Sequence, residues 1–491
     1  MTQLSEISSL NDWIYKKTCM QNSWGARSAQ GTRGAQGTQN SQGTQDSQGT
    51  QDSRGAQDSQ GTQNSQGAQD AQDSQGAQAL RAYQLEKLRE TLTYARKHSR
   101  FYSEHLSGVE PECIKCLKDV KRIPFTTAEM LSSDPLDFVC VSPGDIGRIV
   151  TIPTSGTSGP AKRVFFTDDD QELSIDFFYH GMKTLVNEND RVLIFLPGKS
   201  EGSVGGLLAR SLTRLKCESI VHGPVDDYEK AGAALSSRGA SCAVGLPAQL
   251  FALSRMYPAV RLKSVLLCSD YASDTIRSAL EQTWGCEVFT HYGMIESGLG
   301  GGVECSAHKG YHMREADLLF EIVDPVSGDP VPDGAHGEIV FTTLTRRGMP
   351  LIRYRTGDIS RVIPEPCPCG ASLRLFERVS GRVSEVIKAP GAVAGVGFLL
   401  PIKALDDTLF DIPGLIGFTA EVMRCTDKAS TLTVTIYAPD NGQAVQEAYQ
   451  RIRGSMWLMG AVNSGRLKPE IRQGGMEVLT YGNTKRMIQE R

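Results

Sequence analysis

Between Ser158 and Phe289 the chain repeats one pattern: a short β-rich run, an amphipathic stretch of about ten to twenty residues, then another run. The runs are Val192 to Leu196, Ser219 to Val221, Cys242 to Val244, Val265 to Cys268 and Val288 to Phe289. Neighbouring parallel strands need a long crossover, usually a helix, so this alternation predicts a parallel sheet with helices between its strands. Further on, Leu318 to Asp324 and Glu338 to Thr343 read as strands joined by turn chemistry (Asp324-Pro325, Ser327-Gly328, Asp333-Gly334), which predicts an antiparallel subdomain. After Gly381 the texture changes again: Phe418 to Met423 and Thr431 to Tyr437 read as strands and Ala444 to Arg453 as a helix. The expected fold class is α/β, with a large N-terminal domain over 80–380 (parallel sheets with crossover helices plus the antiparallel subdomain) and a small, mobile α+β C-terminal domain over 381–491.

The N-terminal part is of a different kind. From Ser28 to Gln78 the sequence is a ragged six-residue repeat of Gln, Gly, Ser, Thr, Asp, Asn and Ala without Leu, Ile, Val or an aromatic residue. A parallel β-helix also repeats in sixes but needs an apolar residue in every rung, so 28–79 reads as a disordered low-complexity insert. Leu10, Trp13 and Ile14 make a short apolar patch before it, so 1–27 is expected to be an ordered piece. After it, Leu85, Leu88, Leu92 and Ala95 recur at helical spacing.

Charge and cysteine usage narrow the partners. Fifty-two Lys and Arg against 56 Asp and Glu, with no long basic run, give no reason to expect nucleic acid or an anionic membrane. The longest largely apolar stretch, Ala392 to Ile402, is too short to span a bilayer. Twelve Cys, with no charged-then-apolar leader at the N-terminus, predict reduced thiols and a cytoplasmic location. Small molecules are the expected partners.

The sharpest local signal is Thr154-Ser155-Gly156-Thr157-Ser158-Gly159-Pro160-Ala161-Lys162, between the apolar run Ile149 to Ile152 and the β-like run Val164 to Phe166. Glycines let backbone N–H groups turn inward as an anion nest, hydroxyls add donors and Lys162 supplies a point charge, so the segment suits a polyphosphate. The competing reading is a plain Ser/Gly linker. Pro197-Gly198-Lys199-Ser200 also follows a strand, but the first glycine of a nucleotide-triphosphate loop would have to stand where Leu193 is, so that motif fails.

Downstream come His291-Tyr292-Gly293-Met294-Ile295-Glu296, then Phe341-Thr342-Thr343-Leu344-Thr345 through Met349-Pro350-Leu351-Ile352 to Arg353-Tyr354-Arg355-Thr356-Gly357-Asp358, then Ser380-Gly381-Arg382. In this order, behind the hydroxyl-rich loop, they resemble the AMP-dependent synthetase and ligase superfamily, specifically its phenylacetate-CoA ligase-like branch, over Leu80 to Arg491. The resemblance implies an AMP-forming acid–thiol ligase: ATP and Mg²⁺ activate an aryl or acyl carboxylic acid to an acyl-adenylate, and a thiol, usually coenzyme A, takes the acyl group. It places Thr154 to Gly159 and Lys162 on the phosphates, Glu296 on Mg²⁺, Tyr292 near the adenine with Ser269, Asp270, His291 and Gly293, and Asp358 on the ribose hydroxyls. It puts Glu296, Arg382 and a C-terminal lysine among the catalytic residues. A homodimer is left open.

Three departures qualify the resemblance. The family's Gly-Ala-Glu beside the adenine reads Cys268-Ser269-Asp270; its hinge Gly-Arg-x-Asp-Asp reads Gly381-Arg382-Val383-Ser384-Glu385; and its terminal Gly-Lys-x-x-Arg aligns with Gly482-Asn483-Thr484-Lys485-Arg486, so Asn483 stands at the lysine. Lys485, two residues on, is the substitute cation, at roughly 6.6 Å along an extended chain. The departures motivate a second reading, a catalytically degenerate nucleotide or acyl-adenylate binding protein of the same fold.

A separate set concerns metal. Cys305 is followed at seven residues by His312, and Cys367-Pro368-Cys369 comes later in a turn-rich segment. Three thiolates and an imidazole make a closed tetrahedral Zn²⁺ site, with His308 as the competing imidazole. Cys113-x-x-Cys116 has no second ligand pair nearby and reads as ordinary buried or half-exposed cysteines.

Overall fold

The computed structural model describes residues 61–152, 161–383, 386–387, 398–399, 402–426, 429–439, 442–455, 458–475 and 489–490. Its N-terminal element, helix α1 (Gly61–His98), starts inside the segment read as a disordered insert, so residues 61–79 are helical and that boundary moves. Gln and Ala are good helix formers, and once the stretch after Leu80 nucleates a helix by packing, extending it costs little per residue. Of the residues at helical spacing, Leu88, Leu92 and Ala95 are buried and Leu85 is partly buried against the same core; Leu80 is buried as well. The expectations for 1–27 and for the tract before Gly61 lie outside the described residues.

Two short helices, α2 (Arg100–His105) and α3 (Ala128–Ser133), lead to an antiparallel ribbon of β1 (Arg148–Ile152) and β2 (Lys162–Phe166). The alternating part follows as α4 (Asp168–Met182), β3 (Arg191–Ile194), α5 (Val204–Arg214), β4 (Glu218–Val221), α6 (Tyr228–Ser237), β5 (Cys242–Gly245), α7 (Pro247–Met256), β6 (Ser264–Leu267), α8 (Asp274–Trp284) and β7 (Glu287–Tyr292). These strands pair in parallel in the order β7-β6-β5-β3-β4. Beyond β7 the same sheet continues antiparallel through β8 (Gly302–Glu304) and β9 (Tyr311–Met313).

Because both faces of the parallel sheet are covered, its inner strands β5 and β6 are wholly buried and β3 is buried after Arg191, while edge strand β4 is not, and alternate residues join different cores. In β3, Val192 and Ile194 pack with Phe177 and Leu207 of α4 and α5, while Leu193 packs with Leu250 and Ile276 of α7 and α8. A second, antiparallel sheet holds β10 (Leu318–Val323), β11 (Gly337–Thr343) and β12 (Tyr354–Ser360), covered by a core that includes Leu88 and Leu92 of α1. Two-residue strands β13 (Val362–Ile363) and β14 (Leu375–Phe376) return to the edge of the first sheet beside β9. Strand β15 (Gly381–Arg382) pairs with β12, so the first residues assigned by sequence to the small domain are hydrogen-bonded to the antiparallel sheet.

After a two-stranded pair, β16 (Val386–Ile387) with β17 (Phe398–Leu399), comes the C-terminal unit: α9 (Ile402–Leu409), β18 (Gly417–Thr426), β19 (Ala429–Tyr437), α10 (Gln443–Gly454), α11 (Met459–Asn463), β20 (Leu467–Gln473) and β21 (Gln489–Glu490). Its sheet runs β20-β19-β18-β21. Phe410, just past α9, sits with its ring 4.8 Å from that of Phe251 on α7, so the unit shares an apolar core with the parallel-sheet domain. Among the described residues no helix is long and apolar enough to cross a membrane.

Candidate active site

The site forms where β6 and β7 end and β12 passes beside them, at the carboxyl edge that ligands use in open parallel sheets. Asp358 lies in β12 at a bulge. Glu338 of β11 pairs with Ile359 but Val340 pairs with Arg355, so β12 carries extra residues between them. Gly357 takes φ +74°, a left-handed conformation that disfavours any side chain, and donates its N–H to Glu338 Oε1 at 2.9 Å. The Thr356 hydroxyl donates to Ile339 O at 2.7 Å and accepts the Asp358 N–H at 3.0 Å. The Thr-Gly-Asp sequence is thus a bulge held on both sides, which fixes the buried Asp358.

Two groups engage the Asp358 carboxylate. Arg382 Nε donates to Oδ1 at 2.8 Å and the Tyr292 hydroxyl donates to Oδ2 at 3.2 Å. A carboxylate has about four acceptor positions, so these bonds orient it without filling it. Burial and the negative charge of Asp358 push the Tyr292 phenol well above its ordinary value, so it stays a donor. The Tyr292 ring packs on Tyr311, with centroids 6.0 Å apart. Arg382 also donates to Thr356 O at 3.0 Å.

A second cluster joins Lys162, Glu296 and Tyr354. Glu296 is 3 % exposed, and its Oε1 accepts from Lys162 Nζ and, at 3.1 Å, from the Tyr354 hydroxyl. Lys162 Nζ also lies 3.4 Å from that hydroxyl. Arg346 Nη1 holds the Glu296 carbonyl at 2.7 Å. The turn carrying Glu296 begins at Gly293, where a Cβ would lie 2.6 Å from Leu299 O, so only glycine fits. Neither Tyr354 nor Glu338 has a role in the sequence reading, although Tyr354 sits inside the motif that ends at Asp358.

His291 faces away from this pair, toward Phe177 and Phe178, with ring centroids 6.0 and 6.3 Å away. Its Nε2 is buried without a hydrogen-bond partner, and desolvation lowers its pKa to about 4. Ser269 is exposed with φ +68°, and Asp270 is partly buried beside it. The residues Thr154, Ser155, Gly156, Thr157, Ser158 and Gly159 lie outside the described residues, as do Ser384, Glu385, Asn483 and Lys485.

The proposed metal ligands do converge. The ligand atoms of Cys305, His312, Cys367 and Cys369 all lie within 4.8 Å of one another, although five strands, β9 to β13, and about 60 residues separate Cys305 from Cys367 in sequence. Cys305 Sγ is 3.6 Å from Cys367 Sγ, and Cys369 Sγ is 3.3 Å from His312 Nε2. Hydrogen bonds from Cys305 and Cys369 lower the Cys367 pKa, while hydrogen bonds with Cys367 and Cys369, together with burial, raise that of Cys305. Three sulfurs and an imidazole in a mostly buried cluster are the donor set of a closed tetrahedral zinc site. His308 is not part of it: its Nε2 bonds Glu287 at 3.0 Å. Cys113 and Cys116 are exposed free thiols, not the buried or half-exposed ones expected, because they lie at the ends of short 3₁₀ turns at the surface.

No family model matches the chain. A phenylacetate-coenzyme A ligase of Thermus thermophilus is 28% identical over 322 residues, covering 63% of this chain and 71% of that protein. Another, of Pseudomonas putida, is 26% identical over 323 residues, covering 63% and 72%. Among solved structures, a 2-hydroxyisobutyryl-CoA ligase in the postadenylation state with an acyl-AMP superposes with a TM-score of 0.70 at 18% identity, over 85% of this chain and 90% of that one. The same enzyme in an open conformation gives 0.57 at 19% identity, over 84% and 91%. The shared fold is the two-domain architecture of adenylate-forming ligases.

Proposed function

We propose that this chain, which resembles phenylacetate-CoA ligases in sequence and adenylate-forming ligases in fold, activates an aryl or acyl carboxylic acid with ATP and passes the acyl group to the thiol of coenzyme A. The observation that carries the reading is β12 itself. One strand presents Tyr354 to the Lys162–Glu296 pair and, through the bulge, Asp358 to Tyr292 and Arg382. A cation and a buried carboxylate beside an oriented second carboxylate is what a nucleotide requires: charge neutralisation at the phosphates and paired acceptors at the ribose.

In this reading Asp358 accepts from the ribose hydroxyls with its two unfilled positions. Lys162 lowers the repulsion between the incoming carboxylate and the phosphates. Magnesium, when bound, supplies charge neutralisation and orientation of the phosphates, and Glu296 is the residue placed to hold it. The Cys305, His312, Cys367 and Cys369 cluster holds a structural zinc, because four protein ligands leave no open position for substrate. The curated relatives are named as ligases, which favours this reading over a non-catalytic binding protein.

Exchange of labelled pyrophosphate into ATP with a panel of carboxylic acids tests it. Acid-dependent exchange is the expected result, and absence of exchange with every acid overturns the reading. The same assay, run as single-turnover acyl-adenylate formation, addresses the C-terminal cation. If Lys485 serves the α-phosphate, Lys485→Ala slows adenylation by about a hundredfold or more, equivalent to roughly 2.7 kcal/mol. If the position is vacant, that variant is silent and Asn483→Lys raises the rate.

A further inference from the structure

The Tyr354 hydroxyl touches both members of the Lys162–Glu296 pair. Both donors converge on Glu296 Oε1, and no described donor reaches Oε2. Burial and the Glu296 charge push the Tyr354 phenol far above its ordinary value, so it is a fixed donor rather than a titrating group. Its backbone is fixed from below. The preceding residue, Arg353, takes φ +47° and is 2 % exposed. Its guanidinium makes two bonds to Glu321, at 3.0 and 2.8 Å, and donates to Ile123 O at 2.7 Å, with the Phe125 ring centroid 4.0 Å away.

A carboxylate free to rotate offers either oxygen to a ligand. One whose first oxygen is tied by two donors offers only the second, in one direction. We infer that Tyr354 is a positioning residue that, with Lys162, immobilises Glu296 so that Oε2 faces the nucleotide-bound divalent cation. This rests on the reading of the site given above and adds a role for a residue that lies between its two halves. It also explains why a non-glycine left-handed conformation is tolerated at Arg353: the buried ion pair holds the strand start at the place where the tyrosine must emerge.

The test is Tyr354→Phe, which keeps the ring and removes only the hydroxyl. Calorimetric titration with a non-hydrolysable ATP analogue, with and without Mn²⁺, and electron paramagnetic resonance of bound Mn²⁺ read the site without turnover. The expected result is Mn²⁺ binding weakened about tenfold in the presence of the analogue, while metal-free analogue affinity stays within about twofold and the unfolding midpoint is little changed. Mn²⁺ binding equal to wild type overturns the role of Tyr354 and leaves the nucleotide site intact. An equal loss with and without metal overturns it too, since the hydroxyl then serves the nucleotide and not the cation. A wild-type chain that binds no ATP analogue overturns the underlying reading and this inference together.

Discussion

His291 illustrates how one side chain's surroundings set a property of the whole protein. With Nε2 buried among Phe177 and Phe178 and its pKa lowered to about 4, the folded protein loses this proton at a lower pH than the unfolded chain, whose value is near 6.5. Between those values the unfolded chain binds more protons, so stability from this group is complete above pH 6.5 and falls as the pH drops through 4. At 1.36 kcal/mol per pKa unit the loss is roughly 3 kcal/mol. His291→Leu, of similar bulk and without a titrating group, is expected to flatten the unfolding free energy over this range relative to wild type. Parallel pH profiles for the two proteins would exclude the assignment. Sequence spacing places His291 at a strand end, but not its aromatic surroundings, because Phe177 and Phe178 arrive from a helix more than a hundred residues earlier.

At the scale of elements, the metal cluster ties together pieces that are individually weak. Strands β9 and β14 are three and two residues long, and their pairing runs through His312 opposite Leu375. Short strands contribute little by themselves. A metal held by Cys305, His312, Cys367 and Cys369 would staple this edge of the sheet, since binding energy at a structural site counts directly toward folding. Cys367→Ser with Cys369→Ser should remove about one equivalent of zinc per chain and lower the unfolding midpoint by about 5–10 °C, as a loss of a few kcal/mol does in domains of this class. Elemental analysis of the purified protein gives the first readout; a wild-type chain without zinc, or a double variant that retains it, refutes the site. The cysteine spacing made the ligands legible in sequence, whereas the choice of His312 over His308 needed the fold, which sends His308 to Glu287.

For the whole molecule, helix α1 is anchored through the stretch from Leu80 to Ala95. Leu80 is buried, and Leu88, Leu92 and Ala95 are fully enclosed in the core that covers the antiparallel sheet. Removing residues 28–75 should therefore shift the unfolding midpoint by no more than about 2 °C, because the repeat has no large apolar residue to bury and the closure entropy of long loops grows slowly. Removing residues 28–92, by contrast, takes Leu80, Leu88 and Leu92 and should cost several kcal/mol, at about 2–5 kcal/mol for each buried leucine lost. Differential scanning calorimetry separates the two; equal midpoints would show that α1 carries no core.

The sequence by itself determined the class of fold and the order of its parts. A period of strand and helix, and a set of glycine, hydroxyl and carboxylate motifs, are local properties of the chain, and local geometry converts them directly into parallel strands and turns. It also singled out the clustered cysteines and both carboxylates, Glu296 and Asp358, as candidates, with His312 and His308 as competing imidazoles. Only the tertiary structure decided what those groups face. Tyr354 reaches Glu296 across 58 residues, Arg382 reaches Asp358 across 24, and Arg353 is locked by Glu321 32 residues away. The helical start at Gly61 was likewise decided outside the repeat, by the packing of Leu80 to Ala95. In each case the deciding interaction is between residues distant in the chain, and its energy depends on burial and exact placement, which periodicity and spacing do not encode.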